Sequence, residues 1–172
     1  FVLDNPLNQG VQRWVKALNN LYNANDALYA NDSDVMGFEW IDCDHPDKGV
    51  VSFIRRGSTP SKQLLFICNF VPVEYDNYEV GAPCFTTYKE VLNSDDVQFG
   101  GAGRLNSGKI KAIDKKTERM PYSISVTVPP LSTVVLEYDY TDVTPEDILK
   151  KKEAEKKAAA AKRAAAKKTT AK

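Results

Sequence analysis

Apolar and polar residues recur with a helical period over residues 10–22, which predicts an amphipathic helix there. Asn8 is predicted to cap this helix, because its side-chain oxygen can accept from the free backbone N–H groups of the first turn. A second short helix is predicted to begin near Asn25 and Asp26 and to cover residues 27–29. Both helices carry an apolar stripe that must pack on another part of the molecule. The apolar positions of the first helix are Val11, Trp14, Val15, Leu18, Leu21 and Tyr22.

From Gly37 onward the apolar residues lie in short runs with a period of two, which is typical of strands. Residues 123–128 alternate strictly, so one face of that strand is packed and the other is wetted. Residues 63–71 are nearly all apolar, which predicts a central strand buried on both faces, with Cys68 in the core. The predicted strands include Phe38 and Trp40 and the segments 51–54, 63–71, 78–80, 88–92, 109–113, 122–128 and 133–138.

Gly, Pro, Asn and Asp fill the breaks between these strands, and short strands of this spacing predict a mainly β fold, an antiparallel sandwich over residues 37–138. The segment 44–49 is predicted to be a hairpin loop in which Gly49 takes the left-handed conformation and His45 is exposed to solvent. The predicted core includes Phe53, Leu65, Ile67, Phe70, Val126 and Leu136.

The last part of the chain has a different composition. Thr144 to Asp147 form a helix-start signature, with Thr as the cap and Pro at the first helical position. Residues 150–172 then hold ten of the 23 basic side chains and two of the 23 acidic ones, which leaves a net charge of −8 on residues 1–149. This segment has high helix propensity but no apolar stripe, so it is predicted to be a solvated tail that is helical only transiently or against a partner.

Few residues in the chain offer a cofactor or metal site. The three cysteines follow no metal-ligand spacing and the only histidine is His45, so cytosolic thiols are expected and no metal or cofactor is predicted. The segment 100–103 is rich in glycine but does not match a nucleotide-binding fingerprint, and we expect an ordinary loop. No run of about 18 apolar residues and no secretory signal pattern occurs. The chain starts Phe-Val-Leu-Asp without Met, so we expect it to be a piece of a longer protein.

Several motifs together resemble one family. They are GVQRWVKALN at 10–19, GFEWI at 37–41, VSFIRR at 51–56, CNFVPV at 68–73, EVLNSD at 90–95 and SISVTVPPL at 123–131. In order and spacing, over roughly residues 5–138, they resemble the C-terminal end of bacterial glycogen branching enzymes, glycosyltransferases of the α-amylase clan.

The resemblance implies three segments. Residues 1–36 would be the C-terminal remnant of a catalytic (β/α)₈ barrel, including its last helix; residues 37–140 would be the all-β C-terminal domain; residues 141–172 would be a basic tail outside the family pattern. The parent enzyme would act in the cytoplasm on α-glucan in glycogen biosynthesis.

The resemblance also implies that no catalytic residue lies in this chain, because the family's Asp nucleophile, Glu acid/base and further Asp lie upstream in the barrel. Asp42, Asp44, Asp95 and Asp96 are predicted to be acids of turns and loops, and the chain alone is predicted to be inactive. The candidate glucan-proximal loop consists of Asn5, Asn8 and Gln9.

Two further hypotheses stay open at this point. The sandwich could be a stand-alone carbohydrate-binding module, which would require Trp40, Tyr75, Tyr78 and Tyr88 to be exposed for stacking on glucose rings. The basic tail could instead bind nucleic acid through salt-sensitive contacts without sequence preference. Membrane binding is not expected.

Overall fold

Antiparallel strand pairing organises residues 2–141, which form one structural unit, while residues 142–169 belong to a second. The computed structural model describes the backbone of residues 2–169 and the side chains of residues 2–159. The first unit contains helix α1 (Pro6–Ala24) and strands β1 (Phe38–Asp42), β2 (Val50–Arg55), β3 (Gln63–Asn69), β4 (Tyr75–Ala82), β5 (Thr87–Asn93), β6 (Ile110–Lys111), β7 (Tyr122–Val128) and β8 (Thr133–Tyr138).

These strands form two sheets with a common core. The larger sheet has the order β1-β2-β3-β8-β5-β6 and the smaller one pairs β4 with β7. Leu65, Ile67 and Leu136 from the larger sheet meet Ile124 and Val126 from the smaller one, and all five side chains are buried. The predicted antiparallel sandwich is therefore confirmed.

Phe53 and Phe70 do not lie in the core, so these two predictions are wrong. The prediction that Cys68 is a core side chain is also wrong. Ser52 and Ile54 face the core, so Phe53 between them points to the outer face of the larger sheet and is half-buried. Phe70 follows the end of β3 and is exposed. Cys68 also lies on the outer face, half-buried, where the Thr133 hydroxyl donates to its sulfur at 3.6 Å.

Helix α1 begins earlier than predicted. Pro6 occupies its first turn and Asn5 is its N-cap, accepting a hydrogen bond from the Leu7 N–H at 2.9 Å. The prediction that Asn8 is the cap is wrong, because its side-chain amide donates to the carbonyl of Val2 at 2.7 Å. The predicted second helix is confirmed as a 3₁₀ turn at Asp26–Leu28, with Asn25 as its cap.

One side of α1 packs on the outer face of the larger sheet. Trp14 contacts Phe99 edge to face, with ring centroids 5.1 Å apart. Gly10 allows this close approach, since a Cβ there would lie 2.3 Å from the carbonyl oxygen of Phe99. The apolar cluster between helix and sheet is made by Trp14, Ala17, Leu18, Leu21, Ala27, Leu28, Leu64, Phe66, Val91, Leu92, Phe99 and Val135.

The β1–β2 connection is the predicted hairpin loop, and Gly49 adopts the left-handed conformation with φ of 61°. His45 lies in this loop with 41% of its side chain exposed, as predicted, and its Nδ1 lies 2.8 Å from a carboxylate oxygen of Asp42.

The second unit is helix α2 (Pro145–Thr169). Thr144 and Asp147 form its N-terminal cap, with the Thr144 hydroxyl donating to the Asp147 carboxylate at 2.7 Å and accepting from the Asp147 N–H at 3.2 Å. Side chains 151–159 are exposed, in agreement with a helix that lacks an apolar stripe. Residues 170–172 of the tail lie outside the described residues, and the predicted transience of the helix stays a prediction.

Candidate functional site: an exposed apolar face

Helix α1 carries a second line of apolar side chains beside the one that packs on the sheet. Val11 and Val15 are 61% and 49% exposed, and Leu7 and Tyr22 are exposed as well. Positions 7, 11, 15 and 22 lie on one side of a helix. We call Leu7, Val11, Val15 and Tyr22 the outer stripe.

A run of aromatic rings crosses β1, β2 and β3 on the outer face of the larger sheet. Phe38 stacks on Phe53 at 5.2 Å, Phe53 stacks on Phe66 at 4.9 Å, and Trp40 contacts Phe53 edge to face at 5.7 Å. Trp40 is 42% exposed and Phe38 is 37% exposed, so one end of this aromatic ladder reaches solvent.

A third apolar feature lies next to Trp14, where Phe70 and Leu131 are 68% and 67% exposed. The backbone N–H of Leu131 donates to the carbonyl of Val71 at 3.0 Å, which joins the two loops that carry these side chains. Leu131 has a φ of 48°, a conformation that non-glycine residues rarely adopt. The outer stripe, the aromatic ladder, Phe70 and Leu131 together are called the docking face. Exposed apolar surface is typical of interaction sites, so this face is the candidate functional site.

The candidate glucan-proximal residues lie at the start of α1, where each amide bonds to the chain itself. Asn5 caps the helix, Asn8 donates to the carbonyl of Val2, and the Gln9 amide donates to the carbonyl of Leu3 at 2.7 Å. The structure thus brings Asn5, Asn8 and Gln9 together around the 3₁₀ turn at Val2–Asp4. Their proximity to a glucan stays a prediction.

The acidic residues singled out from the sequence all bond to nearby loop or turn groups. Asp42 accepts from His45, and Asp44 forms an ion pair with Arg119. Asp95 accepts from the backbone N–H of Ala102 and of Arg104, and Asp96 caps the 3₁₀ turn that follows it. Within the described side chains, no cluster of three or more His, Cys, Asp or Glu has the arrangement of a metal site.

The hydrogen bond from His45 to Asp42, together with the charge of that carboxylate, raises the pKa of His45 above its ordinary value. Desolvation by burial, with a smaller contribution from the hydrogen bond to Asp44, raises the pKa of the Cys43 thiol beside this loop. Cys43 is therefore a poor nucleophile at neutral pH.

The four aromatic residues that a carbohydrate-binding module would expose fall into two groups. Tyr88 is completely buried and its hydroxyl donates to the carbonyl of Cys84 at 3.0 Å, so it is excluded as a stacking platform. Tyr75 and Tyr78 are half-buried, and Trp40 is the most accessible of the four.

Sequence reasoning missed the docking face in part. The apolar spacing of α1 was visible, but it does not separate Trp14 and Leu18, which pack on the sheet, from Val11 and Val15, which do not. The outward position of Phe53 was missed because both phases of β2 carry apolar residues.

In the described part of the chain, no helix is both long enough and apolar enough to span a membrane.

The sequence comparisons with known proteins agree with the resemblance seen in the motifs. A 1,4-alpha-glucan branching enzyme of Clostridium perfringens is 43% identical over 132 residues, which cover 76% of this chain and 20% of that protein. The enzymes of the same name from Oceanobacillus iheyensis and a Synechococcus species are 38% and 43% identical, over 80% and 74% of this chain and 22% and 16% of those proteins. The chain therefore spans about a fifth of the length of these curated relatives.

A solved alpha-amylase from H. orenii aligns with 69% of this chain and 18% of its own at 19% identity and a TM-score of 0.38, too distant to place any residue. The family model of the alpha amylase C-terminal all-beta domain matches residues 40–139, which span all eight strands except the first two residues of β1. The chain belongs to the family of α-amylase C-terminal all-β domains.

Proposed function

We propose that this chain is the C-terminal segment of a 1,4-α-glucan branching enzyme, which moves α-1,4-glucan chains to 6-hydroxyl groups and so forms α-1,6 branches in glycogen. In this proposal the chain supports the catalytic barrel and carries none of its catalytic carboxylates. The names of the relatives and the fraction of their length that the chain spans support it. Three free cysteines support a cytoplasmic location for the parent enzyme.

The observation that carries the proposal is that α1 has apolar side chains on two neighbouring sides. Trp14 and Leu18 pack on the sandwich, while Val11 and Val15 on the neighbouring side are exposed. A surface helix that packed on the sandwich alone would need a single apolar stripe, with polar residues elsewhere. A helix that lies between the sandwich and a second domain needs both stripes, and the outer stripe is then the contact with the barrel.

The rest of the docking face extends this contact beyond the helix. Trp40, Phe70 and Leu131 lie on the side of the sandwich that α1 covers in part. Burial of such side chains contributes about 25 cal/mol for each Å² of apolar surface removed from water. The sandwich therefore stabilises the barrel by covering it, and the barrel in turn covers the docking face.

The proposal is tested with a chimera in which this chain replaces the matching segment of the Clostridium perfringens relative. The chimera is expected to branch amylose, which is followed by the fall in the iodine-stain absorbance. Val11→Lys with Val15→Lys should strongly reduce its activity and its melting temperature, because two charges would be buried at the contact. The matched control is Gln12→Lys with Asn20→Lys, which adds the same charge on the exposed polar side of α1 and should leave both unchanged.

Two results would contradict the proposal. One is an active chimera whose activity and melting temperature are the same with both pairs of substitutions. The other is equal loss from the stripe pair and the control pair, because charge on any side of α1 would then be harmful and the outer stripe would have no special role.

A stand-alone carbohydrate-binding module is the second candidate, and the exposure of Trp40 is the observation that favours it. Under that hypothesis the docking face stays open and Trp40 stacks on glucose rings. Quenching of tryptophan fluorescence by maltoheptaose in this chain, lost on Trp40→Ala, is the result that the module hypothesis requires. Asn5, Asn8 and Gln9 remain the proposed glucan-proximal residues of the branching-enzyme segment.

A further inference from the structure

A cleft of about 350 Å³ lies between the end of β1, the β1–β2 loop, β4 and the loop that joins β6 to β7. Its volume falls in the range of about 300–1,000 Å³ that is usual for small-molecule sites. No residue of the docking face lines this cleft. A barrel seated on the docking face therefore need not fill it.

Tyr78 forms the apolar wall of the cleft. Its ring is half-buried, lies 5.3 Å from the ring of Tyr75, and has the Lys48 ammonium 5.8 Å from its centroid. Burial raises the pKa of Tyr78 to about 12, so its hydroxyl stays protonated and can both donate and accept at neutral pH. The Tyr75 hydroxyl donates to the carbonyl of Lys48 at 2.8 Å, which fixes the loop against β4.

The polar side chains around Tyr78 are held in place by partners on the rim. His45 bonds to Asp42, Arg119 pairs with Asp44, and Glu79 pairs with Lys115. Side chains that are already ordered lose little conformational entropy when a ligand binds.

Acidic and basic side chains both line the cleft, and this combination favours an uncharged ligand. An anion would meet Asp42, Glu79 and Glu118, whereas a cation would meet Lys48 and Arg119. An uncharged ligand with many hydroxyl groups suits both, since each hydroxyl donates to a carboxylate and accepts from an ammonium or guanidinium group. The apolar C–H face of a sugar ring can pack against Tyr78.

We propose that this cleft is a binding site for a short stretch of α-glucan, separate from any site of chain transfer. The choice of glucan among hydroxyl-rich ligands rests on the proposed function, whereas the cleft and its lining do not. Such a site would hold a glucan chain on the sandwich while the same polymer is processed elsewhere in the parent enzyme.

The test uses the 172-residue chain and maltoheptaose as the probe, with cellohexaose as the matched β-linked control. Amide NMR spectra are expected to shift with maltoheptaose at residues 41–48, 78–81 and 117–119, and to change less with cellohexaose. Tyr78→Ala is expected to weaken binding about tenfold or more, the equivalent of about 1.4 kcal/mol. Tyr22→Ala, which removes an exposed tyrosine from α1, should leave the affinity unchanged.

A second variant keeps the test decisive if Tyr78→Ala disturbs the fold. Glu118→Gln with Arg119→Ala alters two exposed side chains of the cleft and is expected to weaken binding severalfold without a change in the amide spectrum elsewhere. Shifts confined to Trp40 and Phe53 would overturn the proposal in favour of the aromatic ladder. Absence of shifts at millimolar maltoheptaose would also overturn it. An active chimera without cleft binding would reject the glucan site and leave the branching-enzyme proposal intact.

Discussion

Phe53 and Phe66 stack face to face on the outer surface of the larger sheet, with ring centroids 4.9 Å apart and planes inclined by 5°. They are direct partners in the register of β2 and β3. Cross-strand aromatic pairs of this kind contribute up to about 1 kcal/mol. The stack continues through Phe38 to the solvent-exposed edge at Trp40, so the outer face of this sheet is apolar both under α1 and beyond it.

Trp14 is expected to be the main contributor to the attachment of α1. Trp14→Ala should lower the free energy of unfolding by about 2–3 kcal/mol, less than for a fully buried tryptophan, because its ring is half-buried against Phe99 and the sheet. Urea unfolding followed by circular dichroism measures this change. Val15→Ala, one position along the helix, should change the free energy by no more than about 0.5 kcal/mol. Equal effects at both positions would contradict the assignment of the two sides of α1.

The exposed outer stripe predicts that the isolated chain associates with itself as its concentration rises. Val11→Lys with Val15→Lys should shift the chain toward monomer in sedimentation velocity, because charges on the stripe oppose apolar contact. The polar-side pair Gln12→Lys with Asn20→Lys serves as the control and should leave association unchanged. If the unsubstituted 172-residue chain stays monomeric at high concentration, the outer stripe does not drive association and this prediction is wrong.

Most of the fold could be predicted from the sequence because local patterns determine it. The strict alternation of residues 123–128 predicted β7 and its packed face, and Ile124 and Val126 are indeed buried. The prediction that the other face is wetted holds for Ser125 but not for Ser123, which is completely buried. The face of β2 that packs on the core could not be predicted in this way. Val50 and Ile54 lie on one face and Val51 and Phe53 on the other, so both faces carry apolar residues. Phe53 was predicted for the core because it was assigned to the packed face of its strand, but Ile54 takes that place.

Two further features, the first residue of α1 and the cleft, were not predicted from the sequence, and the reasons differ. Asn5 and Asn8 are both suitable caps, and Pro6 after Asn5 was the signal that should have decided between them. The cleft combines Asp42, Tyr78 and Arg119 from distant parts of the chain. Only the pairing of the strands brings these residues together, so no spacing in the sequence indicated the site.

Asn69 is expected to be essential for the junction at the end of β3. Its buried amide donates to the carbonyls of Val73 and Pro129 at 2.8 Å each, and its oxygen accepts from the Val71 N–H at 3.0 Å. Asn69→Ala leaves these groups without their partner and should cost about 2–4 kcal/mol in the free energy of unfolding. Chemical denaturation measures the loss. Asn106, which is half-buried and bonds to Glu90 and Thr127, provides a comparison, and Asn106→Ala should cost less.

The stability of the chain should depend on the protonation of His45. Its folded-state pKa is raised above the ordinary value of 6.5 by the hydrogen bond to Asp42, so protonated His45 stabilises the fold. This contribution is fully present below about pH 6.5 and is lost as the pH rises through the folded-state pKa. An NMR titration of the imidazole measures the raised pKa, and Asp42→Asn should return it toward the ordinary value. Asp47→Asn should have a smaller effect, and an equal effect would show that general charge and not the hydrogen bond to Asp42 sets the pKa.

The chain alone is expected to show no branching activity. Transfer through a covalent glucosyl-enzyme requires two carboxyl groups about 5–5.5 Å apart across the sugar. Asp42 and Asp44 are instead engaged with His45 and Arg119 in the β1–β2 loop region. The iodine-stain spectrum of amylose incubated with the purified chain should therefore stay unchanged, and Asp42→Asn and Asp44→Asn should make no difference. A shift that persists in both variants and after heating indicates a contaminant. A shift that the unheated wild-type chain produces and either substitution abolishes would mean that these carboxylates perform the chemistry assigned here to the barrel.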